Sequence, residues 1–334
     1  MNGLILAVAG IVSFAVAAVL GRWVIPWLAR LKFGQTIREE GPSWHEKKQG
    51  TPTMGGILFM AGFLVAAVLA AVLIAYLKPL HMFMTGYEKV CYWGGIGLAF
   101  GCGLIGFADD FIKVVKKRNL GLTAIQKLIA QLVVATAYAV LMYVYRGGVF
   151  NIPFVGMVDW GIWYIPFAVF VIVAMTNATN LTDGVDGLCG LTGFVAALAL
   201  MLLGGLAGQL TQSVLAAALA GALSGFLLWN FHPAQVFMGD TGSLFIGGAL
   251  TALAFGIEQP FLLVPIGILY IAENLSVILQ VTYFKLTHGK RLFKMSPLHH
   301  HFEMCGWSEN KIVLVFSAVT LVGGIIAICL QYFG

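Results

Sequence analysis

A chain of 334 residues that is 60% hydrophobic and only 10% charged falls outside the soluble globular class, where charged residues run at about 25%. Lipid must therefore solvate much of its surface. The net charge of +5 does not imply nucleic acid, because the basic residues concentrate in alternate loops.

A membrane-spanning helix needs roughly 20 mostly apolar residues. In chain order, ten stretches qualify, at about 3–29, 54–77, 90–108, 122–146, 160–177, 188–207, 213–231, 242–258, 260–284 and 310–333. The first opens Met1-Asn2-Gly3 with no basic residue and runs long, so it reads as a span rather than a signal peptide. The third is followed at once by Asp109-Asp110, and the fifth by the polar run Asn177, Asn180, Thr182 and Asp183. Between stretches four and five, Gly147-Gly148 and Asn151-Ile152-Pro153 predict a turn or short hairpin. Spacings such as Gly97 and Gly101 permit close helix packing. No segment between stretches exceeds about 30 residues, so 1–334 reads as one polytopic membrane domain. The predicted fold is an all-α integral membrane protein of about ten spans.

Basic residues set the orientation. Arg30, Lys32, Arg38, Lys47 and Lys48; Lys113, Lys116, Lys117, Arg118 and Lys127; and Lys285, Lys290, Arg291, Lys294 and Lys311 fall in alternate loops. The other side keeps only Lys78, Lys89 and Arg146. By the positive-inside rule the rich loops are cytoplasmic, and ten spans then put both termini outside. The five cysteines contain no Cys-x-x-Cys pair, so a zinc ribbon or redox motif is unsupported.

Of six aspartates, five, Asp109, Asp110, Asp183, Asp186 and Asp240, stand at predicted cytoplasmic ends of spans. Each carboxylate near lipid is costly, and five converging from three loops need a cation. Mg²⁺ suits the task, binding through one or two carboxylates together with substrate phosphates. The turn Met238-Gly239-Asp240-Thr241-Gly242-Ser243 leads into a helix whose N-terminus can meet phosphate. His299-His300-His301 lie in the last such loop. Consecutive histidines do not all point one way, so hydrogen bonding to a diphosphate is a better expectation than a three-histidine zinc site. Glu273 reads as a packed polar residue paired to a neighbour.

Several segments occur in order: Gly50-Thr51-Pro52-Thr53-Met54-Gly55-Gly56, Asp109-Asp110, Asn177 through Leu188, Met238 through Ser243, and Pro297-Leu298-His299-His300-His301-Phe302-Glu303. Together they resemble the polyprenyl-phosphate N-acetylhexosamine-1-phosphate transferase superfamily. The first and last look like its phospho-N-acetylmuramoyl-pentapeptide transferase branch. The Asp-Asp-x-x-Asp motif of soluble prenyl-diphosphate enzymes differs here, with Lys113 at its fifth position.

The resemblance implies transfer of phospho-N-acetylmuramoyl-pentapeptide from UDP to undecaprenyl phosphate, with UMP released, Mg²⁺ as cofactor and a bacterial cytoplasmic membrane as location. By the same resemblance Asp240, with Asp183, is a metal ligand. Asp109, with Asp110 beside it, is the expected base, and the histidine run holds the diphosphate. Lys113 and Lys127 contact phosphate. Lys48, Thr53, Asn180, Asp183, Gly184, Asp186, Asn230 and Phe237 line the nucleotide and metal region, with Phe237 suited to stacking on uracil. The family also suggests a homodimer. Two other readings are a sister enzyme using UDP-N-acetylglucosamine and, from another class, a transporter with broken spans.

Overall fold

The computed structural model describes residues 2–30, 50–77, 84–116 and 120–334. It is helical apart from one hairpin. The helices are α1 (Asn2–Arg30), α2 (Gly56–Leu77), α3 (Gly86–Val115), α4 (Ala124–Arg146), α5 (Tyr164–Thr182), α6 (Leu188–Leu206), α7 (Leu210–Asn230), α8 (Gly239–Gly256), α9 (Leu263–Ile266), α10 (Ile268–Leu286), α11 (Leu298–Glu303) and α12 (Glu309–Phe333). The predicted turn region forms antiparallel strands β1 (Val149–Ile152) and β2 (Gly156–Asp159), with Val149 opposite Asp159.

Among the described residues, eight helices are long and apolar enough to cross a membrane, and a ninth span arises if a bent pair counts as one. That pair, Pro260–Ile266 and Ile268–Leu286, bends by 76° where a continuous span was expected. Pro265 and Gly267 stand at the break, and proline and glycine are the usual causes of such kinks. The remaining predicted span is α8. Every residue from Thr241 to Gly256 is buried in protein, so α8 needs no lipid-compatible surface.

Local sequence fixes the helix starts around the polar end of the bundle. Thr123 and Gln126 form a capping box that opens α4, and the Ser308 hydroxyl accepts from Lys311 N at the start of α12, satisfying orphan backbone donors. Small residues then allow close packing. A side chain at Gly106 of α3 would overlap the backbone of Asp240, and one at Gly56 of α2 would overlap Gly242. These two glycines bring α2 and α3 against the N-terminus of α8.

Two predicted span ends move. α3 continues through Asp109 and Asp110 to Val115, and α5 continues through Asn177 and Asn180 to Thr182. The polar residues do not end these helices because their side chains face partners inside the bundle. Asn177 pairs with Gln131 of α4, its Nδ2 donating to Oε1 at 2.9 Å.

Candidate active site

The C-terminal turns of α3 and α5 meet the N-terminal turns of α4 and α8 at one end of the bundle. Asp109 and Asp110 are consecutive on α3, and Lys113 follows at i+4 and i+3, which places it on their face. Its Nζ lies 2.5 Å from Asp109, 3.6 Å from Asp110 and 3.0 Å from Asp240. Lys127, in the first turn of α4, reaches Asp240 Oδ2 and Asn180 Oδ1, both at 3.0 Å. Asn180 Nδ2 in turn donates to Asp240 Oδ1 at 2.8 Å and to Ser243 Oγ at 2.9 Å.

Asp109 and Asp110 are also tied to backbone. Leu122 N donates to Asp109 Oδ1 at 2.7 Å. Thr241 donates twice to Asp110 Oδ2, from its N at 2.9 Å and its Oγ1 at 2.7 Å. Asp109 and Asp110 are buried and Asp240 is partly open. Carboxylate oxygens of these three lie within 4.8 Å of one another. An all-oxygen donor set of this kind suits a hard divalent cation. Three carboxylates against two ammonium groups leave the ionised cluster with one excess negative charge.

Asp183 caps the C-terminal end of α5 beside this group and accepts a hydrogen bond from Gly239 N. Burial pushes its carboxyl well above the usual carboxylate range, and the charges of Asp240, Asp110 and Asp186 add to that shift. Thr53 lies on the same rim, its Oγ1 close to Gly239. The segment carrying it is stitched to the loop before α8: Phe237 N donates to Pro52 O at 2.9 Å, and Gly55 N donates to Phe237 O at 2.8 Å. Phe237 itself is partly exposed. Lys48 lies outside the described residues.

Other predicted residues have different partners. Asp186 joins a second group with His232 and Glu309. Its Oδ2 is 3.0 Å from His232 Nδ1 and accepts from Ala234 N at 3.1 Å. Asn230 is buried and holds backbone on both sides, accepting from Gly187 N at 3.1 Å and donating to Val236 O at 2.9 Å. In this arrangement it shapes the loops around the site.

The three histidines diverge within α11, as consecutive helical residues must. His299 is 1% exposed and packs against Gly184. His300 Nδ1 pairs with Glu303 Oε2 at 2.6 Å, and His301 Nδ1 accepts from Lys294 N at 3.2 Å. Glu273 of α10 is fully buried beside His299, in keeping with the paired role its sequence context suggested.

Sequence reasoning passed over Thr241 as a partner of Asp110 and Ser243 as a partner of Asn180. Both stood inside the turn already singled out. A hydroxyl one and three residues after a first-turn aspartate was the available signal.

Known proteins resemble the chain along nearly its whole length. Residues 92–257 match the family described as Glycosyl transferase family 4, and residues 48–60 match signature 1 of the phospho-N-acetylmuramoyl-pentapeptide-transferases. A phospho-N-acetylmuramoyl-pentapeptide-transferase of Clostridium perfringens strain 13 is 46% identical, over 93% of this chain and 94% of its own. Those of Heliobacterium modesticaldum and Listeria monocytogenes serovar 1/2a are 47% and 44% identical, each over 96% of this chain and over 96% and 97% of their own. Likeness of this degree along nearly the whole length, with the signature segment stitched to the loop that presents Asp240, makes the chain a member of the phospho-N-acetylmuramoyl-pentapeptide-transferase family.

Proposed function

We propose that the protein transfers phospho-N-acetylmuramoyl-pentapeptide from its UDP carrier to undecaprenyl phosphate. A lipid phosphate oxygen attacks the sugar-bound phosphorus, and the bond to UMP breaks. One diphosphate linkage forms as another is lost, so the protein's task is positioning and charge stabilisation rather than driving force. The observation that carries this reading is the meeting of Asp109, Asp110 and Asp240 with Lys113 and Lys127 at one end of an apolar bundle. The enrichment of basic residues in the loops of that end supports a cytoplasmic position, where a nucleotide sugar is available.

Lys113 and Lys127 are placed to meet phosphate oxygens, and Asn180 holds Asp240 from the opposite side. Asp109, with Asp110 beside it, would act as the base, an assignment that rests on the family resemblance; Leu122 N and Lys113 Nζ hold its two oxygens as the Thr241 donors hold Asp110 Oδ2. Asp240, with Asp183 nearby, would hold Mg²⁺, which when bound supplies Lewis-acid stabilisation of the diphosphate charge.

The test uses purified protein with undecaprenyl phosphate, Mg²⁺ and the UDP-linked muramoyl pentapeptide, following UMP release and identifying the lipid product by mass spectrometry. Wild type should form the pentapeptide-bearing lipid, while Asp240→Asn and Asp109→Asn keep their fold and lose turnover. Near-normal turnover in both variants removes the assignment. Product from UDP-N-acetylglucosamine alone selects the sister activity instead.

A further inference from the structure

His299 is one of the most enclosed ionisable side chains outside the carboxylate cluster, and the helix it sits on does not explain its orientation. α11 spans only six residues. Its side chain is held instead by α10. Glu273 is 0% exposed, and both of its oxygens face the same residue. Oε1 accepts from His299 N at 3.2 Å. Oε2 stands 3.2 Å from His299 Nδ1, within ion-pair reach although off the hydrogen-bonding line. On the far side of the ring, Nε2 has no hydrogen-bond partner and is directed at Gly184, where any Cβ would fall on it. Gly184 adjoins Asp183 and lies two residues before Asp186.

We infer that Glu273 is a positioning residue for the transfer reaction. It clamps the backbone and Nδ1 edge of His299, so that Nε2 is pressed toward the Asp183–Gly184 loop at the rim of the active site. Backbone and ring of His299 are thereby held from one side by the single carboxylate of Glu273. A buried carboxylate behind an imidazole also fixes the ring plane, as in the carboxylate–histidine pairs that orient metal ligands. Glu273 thus sets the direction of His299 without touching substrate. A ring free to rotate would leave the loop bearing Asp183 unsupported, since glycine at 184 has no side chain to hold its own place.

This inference rests on the proposed transferase reading, so its test has one readout that needs no substrate. Glu273→Gln keeps size and removes the charge. Relative to wild type, kcat should fall about 10- to 100-fold, with KM for the UDP-linked substrate within about threefold. The ¹⁵N shifts of the His299 ring, recorded on histidine-labelled protein in detergent, should move. Residues acting as one unit are not additive, so Glu273→Gln combined with His299→Asn should lose no more than His299→Asn alone. Glu273→Asp keeps the charge and withdraws it by one methylene; its kcat should fall between wild type and the Gln variant, and it serves if the Gln protein does not fold. A kcat within twofold of wild type, an unmoved His299 signature, or losses that multiply in the double variant would overturn the inference. If wild type forms no lipid product from any nucleotide sugar, the transferase reading fails, and the ¹⁵N shifts alone still decide whether Glu273 sets the ring.

Discussion

The two ends of α8 carry polar centres of opposite design. At its N-terminus, Asp240 meets two further carboxylates and two lysines that arrive from α3 and α4. Just past its C-terminus, Glu258 meets one charged partner, Arg146, and a hydrogen bond from Tyr87, over whose ring the guanidinium lies at 5.1 Å. The second centre is balanced, one charge against one, and the adjacent Glu258 O accepts from Asn151 N at 2.9 Å to hold the β hairpin in place. The first, when ionised, carries one acid more than its two lysines offset, and a divalent cation would supply the missing positive charge. The contrast separates a fastening from a site: both are ion-paired and both sit at helix ends, but only one has charge left to spend on a ligand.

Variants at the two ends can break or sharpen this contrast. Asp240→Asn should reduce turnover by about 10³-fold, the scale of losing a key electrostatic group in a site, as read by UMP release. Lys127→Met should cost about 10²-fold, since it removes one of two ammonium groups but leaves Lys113; raising Mg²⁺ should recover part of that loss if cation charge is what the cluster lacks. Gly106→Ala, between the two ends, should push α3 away from Asp240 and lower stability by about 1–3 kcal/mol through overpacking, seen in thermal unfolding in detergent. Arg146→Met should leave turnover within about twofold and lower stability by about 1 kcal/mol, as expected of a partly exposed pair. An Arg146 variant as inactive as the Asp240 variant would erase the distinction between the two ends.

Much of this was legible in the sequence. Apolar runs located the helices, and the adjacency of Asp109 and Asp110, with Lys113 one turn on, placed three charges on one face. The meeting of Asp240 with Lys127 and Asn180 was expected only through resemblance to a family, because contacts between residues 113 and 60 positions apart leave no periodic trace. The ends of α3 and α5 were read short because polarity was taken as the edge of the membrane. Asn177 and Asn180 are instead polar residues satisfied inside the bundle. The histidines were expected to diverge, but not which would turn inward: helical geometry sends His299 to Glu273 and leaves His300 and His301 to other partners. A single buried glutamate on α10 could not be matched in advance to a histidine 26 positions away.

The enclosure of α8 also bears on how the chain enters the bilayer. An aspartate in the first turn and a run of glycine, serine and threonine make this segment a poor candidate for independent partitioning during synthesis. Its integration must then be cooperative, with α2, α3, α5, α6 and α7 forming the niche that accepts it. The same helices position Asp240, so seating α8 among them also completes the carboxylate cluster.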